Sequence, residues 1–298
     1  MAYREIFQQL GGNYARVTIH TVYPTGSHVR GKKLKPSTKV QKQLNYRNAC
    51  RRYEDLAHLN FTERDLAVRL NYQHFIDDNG RNPSPAEALA MMQNFLRRLK
   101  RIYKKAGIEL KYLYVTEIGK RTEKVHHHLL LTGGVARDVI ESVWGWGYAN
   151  TQRLEFDEHG IRGLCRYMIK DPVTNRRWNG SKNLIKPTDA GKNKNRYKND
   201  YRITGRTVRY LTENREDASY ITKLYPGWVP SVTGDLYSFV EVGGENVDEN
   251  TGELLPNRWG DYLTIYLYRP EAIPDKSHMG KSGIIRRKPR STREGGAA

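Results

Sequence analysis

Residues 112–132 read YLYVTEIGKRTEKVHHHLLLT, two runs of strand composition joined by a polar, glycine-containing turn. That pattern predicts an antiparallel hairpin. Successive side chains on a strand point to opposite faces, so His126 and His128 share one face. His127 shares the other with Val125 and Leu129. A turn centred between Arg121 and Thr122 places Glu117 directly opposite His126, and directly opposed residues project to the same side. Alternation and register alone therefore bring two imidazoles and one carboxylate together.

Three protein ligands with positions left open suit a catalytic metal site rather than a sealed structural one. The mixed nitrogen and oxygen donors suit Mg²⁺, Mn²⁺ or Zn²⁺, and phosphate chemistry favours the first two. Glu117, His126 and His128 are the expected ligands, and His127 is expected to be a core residue. The bland alternative is three histidines satisfied by the protein itself, with no metal.

Charge narrows the partner. The chain has 298 residues, with 51 Lys and Arg against 32 Asp and Glu, for a net charge of +19. Such a surplus implies a polyanion, nucleic acid first and an anionic membrane surface second. Twenty tyrosines and five tryptophans favour nucleic acid, because aromatic faces stack on bases. No apolar run approaches the roughly 20 residues of a membrane helix, and MAYREIFQQLGG has no apolar stretch of the signal-peptide kind. Cys50 and Cys165 stand in no metal-ligand spacing, which predicts a reduced, cytoplasmic protein with no membrane partner.

Residues 1–44 read as an irregular basic arm, with Arg30, Lys32, Lys33, Lys35, Lys39 and Lys42 and no acid between them. DLAVRLNY (65–72) has strand composition. PSPAEALAMMQNFLRRLKRIYKKAG predicts a helix with Ser84 as N-cap, Pro85 at N1, Glu87 at N3 and Gly107 as the stop. After the hairpin, ARDVIESVW predicts a helix, WGYANTQRL a strand and GIRGLCRYMIKD another helix. The order β-α-β-β-α-β-α predicts an α+β fold, an open antiparallel sheet with helices packed on one side. Residues 45–202 are expected to form the main domain. Residues 203–274, with TVRYL, DLYSFVEV and DYLTIYLY, read as a β-rich region extending it. Residues 275–298 read as a basic disordered tail. MGKSG within that tail lacks the leading glycine of a phosphate-binding loop, since Asp275 stands there.

In GIRGLCRYMIKD, Ile161, Leu164, Cys165 and Met168 form a helical stripe. Tyr167 falls beside it, and Lys170 lies one turn on. A tyrosine at a stripe edge is an ordinary boundary residue. Beside a metal site and a basic surface it becomes a candidate nucleophile. A phenol attacks a phosphodiester poorly unless a divalent ion polarises the phosphate and nearby positive charge helps.

These segments together resemble the HUH endonucleases. VHHHLLL resembles their His-hydrophobic-His motif, with His127 in the middle position, and RYMIK resembles their Tyr-x-x-Lys helix. YVTEIG looks like the strand of the third ligand. WGWGYANTQ, RRWNGSKNLIKP and ENTGELLPNRWGDYLTIYLYRP resemble segments of single-tyrosine rolling-circle replication initiators of phages, plasmids and integrated elements of Gram-positive bacteria. The resemblance covers roughly residues 45–270. It implies a ferredoxin-like, RRM-like catalytic fold with the histidines on a middle strand of the sheet. It implies a divalent ion on His126, His128 and Glu117, with Tyr167 cutting one strand of single-stranded or hairpin origin DNA and keeping the 5′-phosphate. The free 3′-hydroxyl would prime a host DNA polymerase, behind a host helicase, in the bacterial cytoplasm. With one tyrosine on the helix, termination would need a second protomer in a homodimer, another nucleophile or water.

After Tyr167 comes a basic run. Arg176, Arg177, Lys182 and Lys186, with Lys192, Lys194, Arg196 and Lys198, are expected to track the DNA backbone. Trp178, Tyr197 and Tyr201 are expected to stack on unpaired bases. A transposase or relaxase of the same superfamily would use the same chemistry. A plain metallohydrolase would not need Tyr167, and a non-catalytic RRM-like module would need neither metal nor tyrosine.

Overall fold

A computed structural model describes residues 2–22, 39–73, 82–119, 124–170, 177–187, 196–200, 202–233, 238–243, 246–247, 254–255 and 262–272. At 39–44, 196–197, 246–247, 254–255 and 272 it describes backbone alone. In chain order the elements are β1 (Ala2–Leu10), β2 (Tyr14–Val22), α1 (Lys39–Asn60), β3 (Leu66–Asn71), α2 (Pro85–Lys105), β4 (Tyr112–Ile118), β5 (Val125–Leu131), α3 (Arg137–Trp144), β6 (Ala149–Arg153) and α4 (Arg162–Met168). Then follow β7 (Asn179–Gly180), β8 (Arg196–Asn199), α5 (Gly205–Glu213), α6 (Ala218–Leu224), β9 (Val229–Pro230), β10 (Val240–Gly243), β11 (Asn246–Val247), β12 (Leu254–Leu255) and β13 (Tyr262–Tyr268). The fold is α+β, with antiparallel sheets and six α-helices among the described residues.

The first sheet has the order β6-β3-β5-β4-β7, every neighbouring pair antiparallel. The histidine strand β5 is its middle strand. The succession β3-α2-β4-β5-α3-β6-α4 is the one the sequence predicts. Helix α2 starts at the expected cap: Ser84 and Glu87 form a reciprocal capping box, and Gly107 turns the chain out at φ +70. Its buried side chains Met92, Phe95, Leu99 and Tyr103 pack with Ile140 and Trp144 of α3 on Val68, Tyr114 and Leu129.

The expectation of helices on one side needs correction. Leu113, Val115 and Leu130 project from the opposite face, where Tyr53, Leu56 and Ala57 of α1 and Cys165 and Met168 of α4 cover them. Leu113, Val115 and Leu130 make that face apolar too at one end of the central strands, so helices cover both faces there.

The N-terminal segment also differs from its expectation. Residues 2–22 are not irregular but form the β1–β2 hairpin at the heart of a second sheet, β10-β13-β2-β1-β8, with β9 paired to β13. Val17 pairs with Ile265. Phe7, Val17, Ile19, Leu263 and Ile265 line one core with Val208 and Leu211 of α5 and Ile221 of α6. TVRYL, expected to be a strand, lies inside α5, where Thr204 caps the helix and Val208 and Leu211 face inward. β10 and β13 thus join the N-terminal hairpin and do not extend the first sheet. The remainder of the arm between 23 and 38 and the tail beyond 272 lie outside the described residues.

Helix α1 sits between the two sheets. One side carries the apolar contacts above. The other sends Asp55 to Arg16 of β2, with Nη2 to Oδ2 at 2.8 Å, and Arg51 to Glu241 of β10 at 3.3 Å. No described helix is long and apolar enough to cross a membrane.

Candidate metal centre

The β4–β5 register pairs Glu117 with His126 and Val115 with His128, so both imidazoles and the carboxylate project to the α1–α4 face. Glu117 Oε2 lies 3.1 Å from His126 Nε2 and 3.4 Å from His128 Nε2. The imidazole rings meet edge to face with centroids 5.0 Å apart. One ligand atom from each of the three residues lies within 4.8 Å of the others.

His128 and Glu117 are buried. His128 Nε2 is a buried nitrogen with no hydrogen-bond partner, since its approach to Glu117 lacks hydrogen-bond geometry. A buried polar atom left so is costly unless something else satisfies it. Two imidazole nitrogens and a carboxylate oxygen converging around that atom fit a divalent cation.

His127 does something else. It is fully buried on the opposite face, with Nε2 2.9 Å from the Tyr72 hydroxyl and Nδ1 2.9 Å from Thr116 Oγ1. Burial pushes its pKa down to about 3, so it is a neutral core residue.

Tyr167 projects from α4 over the centre. Its ring stands edge to face with that of His128, centroids 5.3 Å apart. It is 56% exposed, unusual for a large aromatic ring beside a buried cluster. Lys170 follows one turn on, also exposed.

Helix α1 holds α4 in place. Glu54 Oε1 accepts from Arg166 Nε at 2.9 Å. His58 Nδ1 lies 2.8 Å from the Glu54 carbonyl, and its Nε2 accepts from the Ile161 N–H at 3.2 Å, at the first turn of α4. Gly160, at φ +66, makes room for that ring, because a Cβ there would lie 2.1 Å from His58 Nε2.

Arg69 of β3 pairs with His128 on one side and Asn150 of β6 on the other. All three therefore share the face of the Glu117–His126–His128 group, where Arg69 and Asn150 are exposed. Sequence reasoning missed Arg69. The signal was a single arginine on the face that alternation in LAVRLN shares with Ala67.

The basic residues after Tyr167 form a different surface. Arg177, Trp178 and Lys186 line a cleft of about 490 Å³ with Arg52 and Leu56 of α1. Lys182 lines a neighbouring cleft with Arg97, Lys100 and Lys104 of α2. Neither cleft includes the Glu117–His126–His128 group. The Trp178 ring is half-buried, edge-on to Tyr53, and the Arg177 guanidinium lies 4.9 Å from the centre of the Tyr46 ring. Arg176, Lys192, Lys194 and Tyr201 lie outside the described residues, as do the side chains of Arg196 and Tyr197.

Residues 68–172 match the model of a family of replication-associated proteins, described under the name ORF2. The matched span runs from within β3 through α4 and contains Glu117, His126, His128, Tyr167 and Lys170. No curated protein and no solved structure matches the chain.

Proposed function

We propose that the protein is a metal-dependent, single-strand DNA endonuclease and strand transferase that initiates rolling-circle replication. The observation that carries this reading is the exposed Tyr167 ring, 5.3 Å from that of His128, beside a convergent Glu–His–His donor set. The family match over residues 68–172 supports a replication role. The element order and the central histidine strand support an HUH-type, ferredoxin-like reading of the first sheet.

Glu117, His126 and His128 would hold Mg²⁺ or Mn²⁺, which when bound supplies Lewis-acid polarisation of a phosphate oxygen. Tyr167 Oη would form a new ester bond to phosphorus as the bond from phosphorus to the 3′-oxygen breaks. The phenolic proton is released and the departing 3′-oxygen takes one up, so the ester bonds balance without water. Lys170 would add positive charge where the anion develops. Exposed Arg69 and Asn150 would hold the strand on the sheet face, with Arg69 on a phosphate. The clefts at Arg177 and Lys186 and at Lys182 would take more of the DNA backbone, in single-stranded or hairpin form. Reversal by an incoming 3′-hydroxyl would rejoin the strand. A host helicase and polymerase, and a second protomer at termination, complete the reading in a bacterial cytoplasm.

The test is cleavage of single-stranded origin oligonucleotides with Mn²⁺. A denaturant-resistant protein–DNA adduct should form, and Tyr167→Phe or EDTA should each abolish it. Cleavage that survives Tyr167→Phe would replace this reading with a metal-activated water. Binding without cleavage on any origin fragment would leave a binding module.

A further inference from the structure

Helix α4 has seven residues and no side-chain cap of its own, and a helix that short does not hold its position unaided. Arg162, its first residue, is buried. Its guanidinium carbon lies 4.0 Å from the centre of the Tyr266 ring on β13. Arg162 Nη2 donates to the Val232 carbonyl at 3.3 Å and lies 2.9 Å from His159 Nδ1. The Tyr266 hydroxyl is buried with no hydrogen-bond partner. What Tyr266 offers Arg162 is therefore its ring face, a cation–π seat.

Arg162 and Tyr167 are five residues apart, about 140° around a helix. One reaches the second sheet while the other meets His128 on the first. Any rotation of α4 about its axis moves both. Tyr266 and Val232 lie outside the family-matched span of 68–172.

We propose that Arg162 is a positioning residue. Seated on Tyr266, it lets the second sheet set the rotation of α4 and hence the place of Tyr167 over Glu117, His126 and His128. The catalytic consequence rests on the nuclease reading, and the geometric one does not.

The test uses the full chain with Tyr167→3-fluorotyrosine as an NMR probe, alongside single-turnover adduct formation and DNA affinity for the unlabelled protein. Four forms are compared: the parent, Arg162→Ala, Tyr266→Leu and Tyr266→Phe. Leucine keeps position 266 apolar and buried, so that variant decides the matter even if Arg162→Ala fails to fold. Tyr266→Leu should shift or split the fluorine resonance. It should also slow adduct formation by about a hundredfold, the order a misplacement of 1 Å costs, with DNA affinity unchanged. Tyr266→Phe, which keeps the ring, should restore the parental resonance and rate. If Tyr266→Leu lowers thermal stability but leaves the resonance of position 167 unchanged, the residue is merely structural and the proposal is overturned. If the parent forms no adduct at all, the nuclease reading fails, and the resonance still decides the positioning role.

Discussion

Three consecutive histidines serve two purposes because strand geometry sends them to opposite faces. His127 is a core residue bonded to Tyr72 and Thr116. His127→Ala should therefore cost about 2 kcal/mol or more in urea unfolding, through unsatisfied buried partners and a cavity. Its Mn²⁺ affinity should stay at the parental value. His128→Ala should do the reverse. It removes a nitrogen that lacks a protein partner, so stability should fall by less than in His127→Ala. Mn²⁺ affinity by calorimetry should fall at least tenfold, because even outer-shell changes at metal sites cost that much. Equal metal affinity in the two variants would remove Glu117, His126 and His128 as the ligand set.

At the scale of elements, the placement of α4 depends on a neutral His58. Its Nδ1–H donates to the Glu54 carbonyl, and its Nε2 accepts from Ile161. A doubly protonated ring cannot accept, and burial lowers its pKa, with Arg162 acting in the same direction and Asp55 opposing. The unfolded chain takes up that proton near pH 6.5 and the folded chain only below it. This contribution is thus fully present above pH 6.5 and is lost as pH falls, by up to about 1.4 kcal/mol per pH unit. Urea unfolding at pH 7.5 and 5.5 should show the loss, and His58→Gln should flatten the slope. His159, its pKa lowered chiefly by burial, and Glu54, its pKa raised chiefly by burial, face the same pocket, so the residual slope belongs to them. Gly160→Ala should disturb the same joint. A left-handed alanine costs about 1–2 kcal/mol before the clash with His58 is counted, and the adduct rate should fall with it.

For the whole molecule, the β1–β2 hairpin and β13 build one sheet from the two ends of the described chain. Deleting residues 1–22 removes one of the partners of β13, β2, and the partner of β8, β1, and takes Phe7, Val17 and Ile19 from the core. Hydrogen exchange should then show β10 and β13 losing protection while β5 keeps it. Retained protection in β13 would mean that the second sheet does not depend on the hairpin. The basic clefts make a separate prediction. Arg177→Ala and Lys186→Ala should each lower the salt slope of DNA binding by about one, leaving the adduct rate at saturating DNA unchanged.

What is local could be read from the amino acids alone. The capping box at Ser84, the alternation in VHHHLLL and the nine-residue offset between Glu117 and His126 follow from cap chemistry, the two-residue strand period and turn register. All of these act within a few residues. Long-range packing settled the rest. Whether Tyr167 faced His128 depended on where α4 packs, against His58, Glu54 and, through Arg162, Tyr266, contacts that no spacing encodes. The alternation that makes residues 14–22 a strand is present in the sequence. Its partner, β13, is not, because strand pairing is selected by buried area between segments far apart in the chain. α5 read as a strand for the same reason: a short aromatic run fits either period, and packing against the second sheet selected the helix.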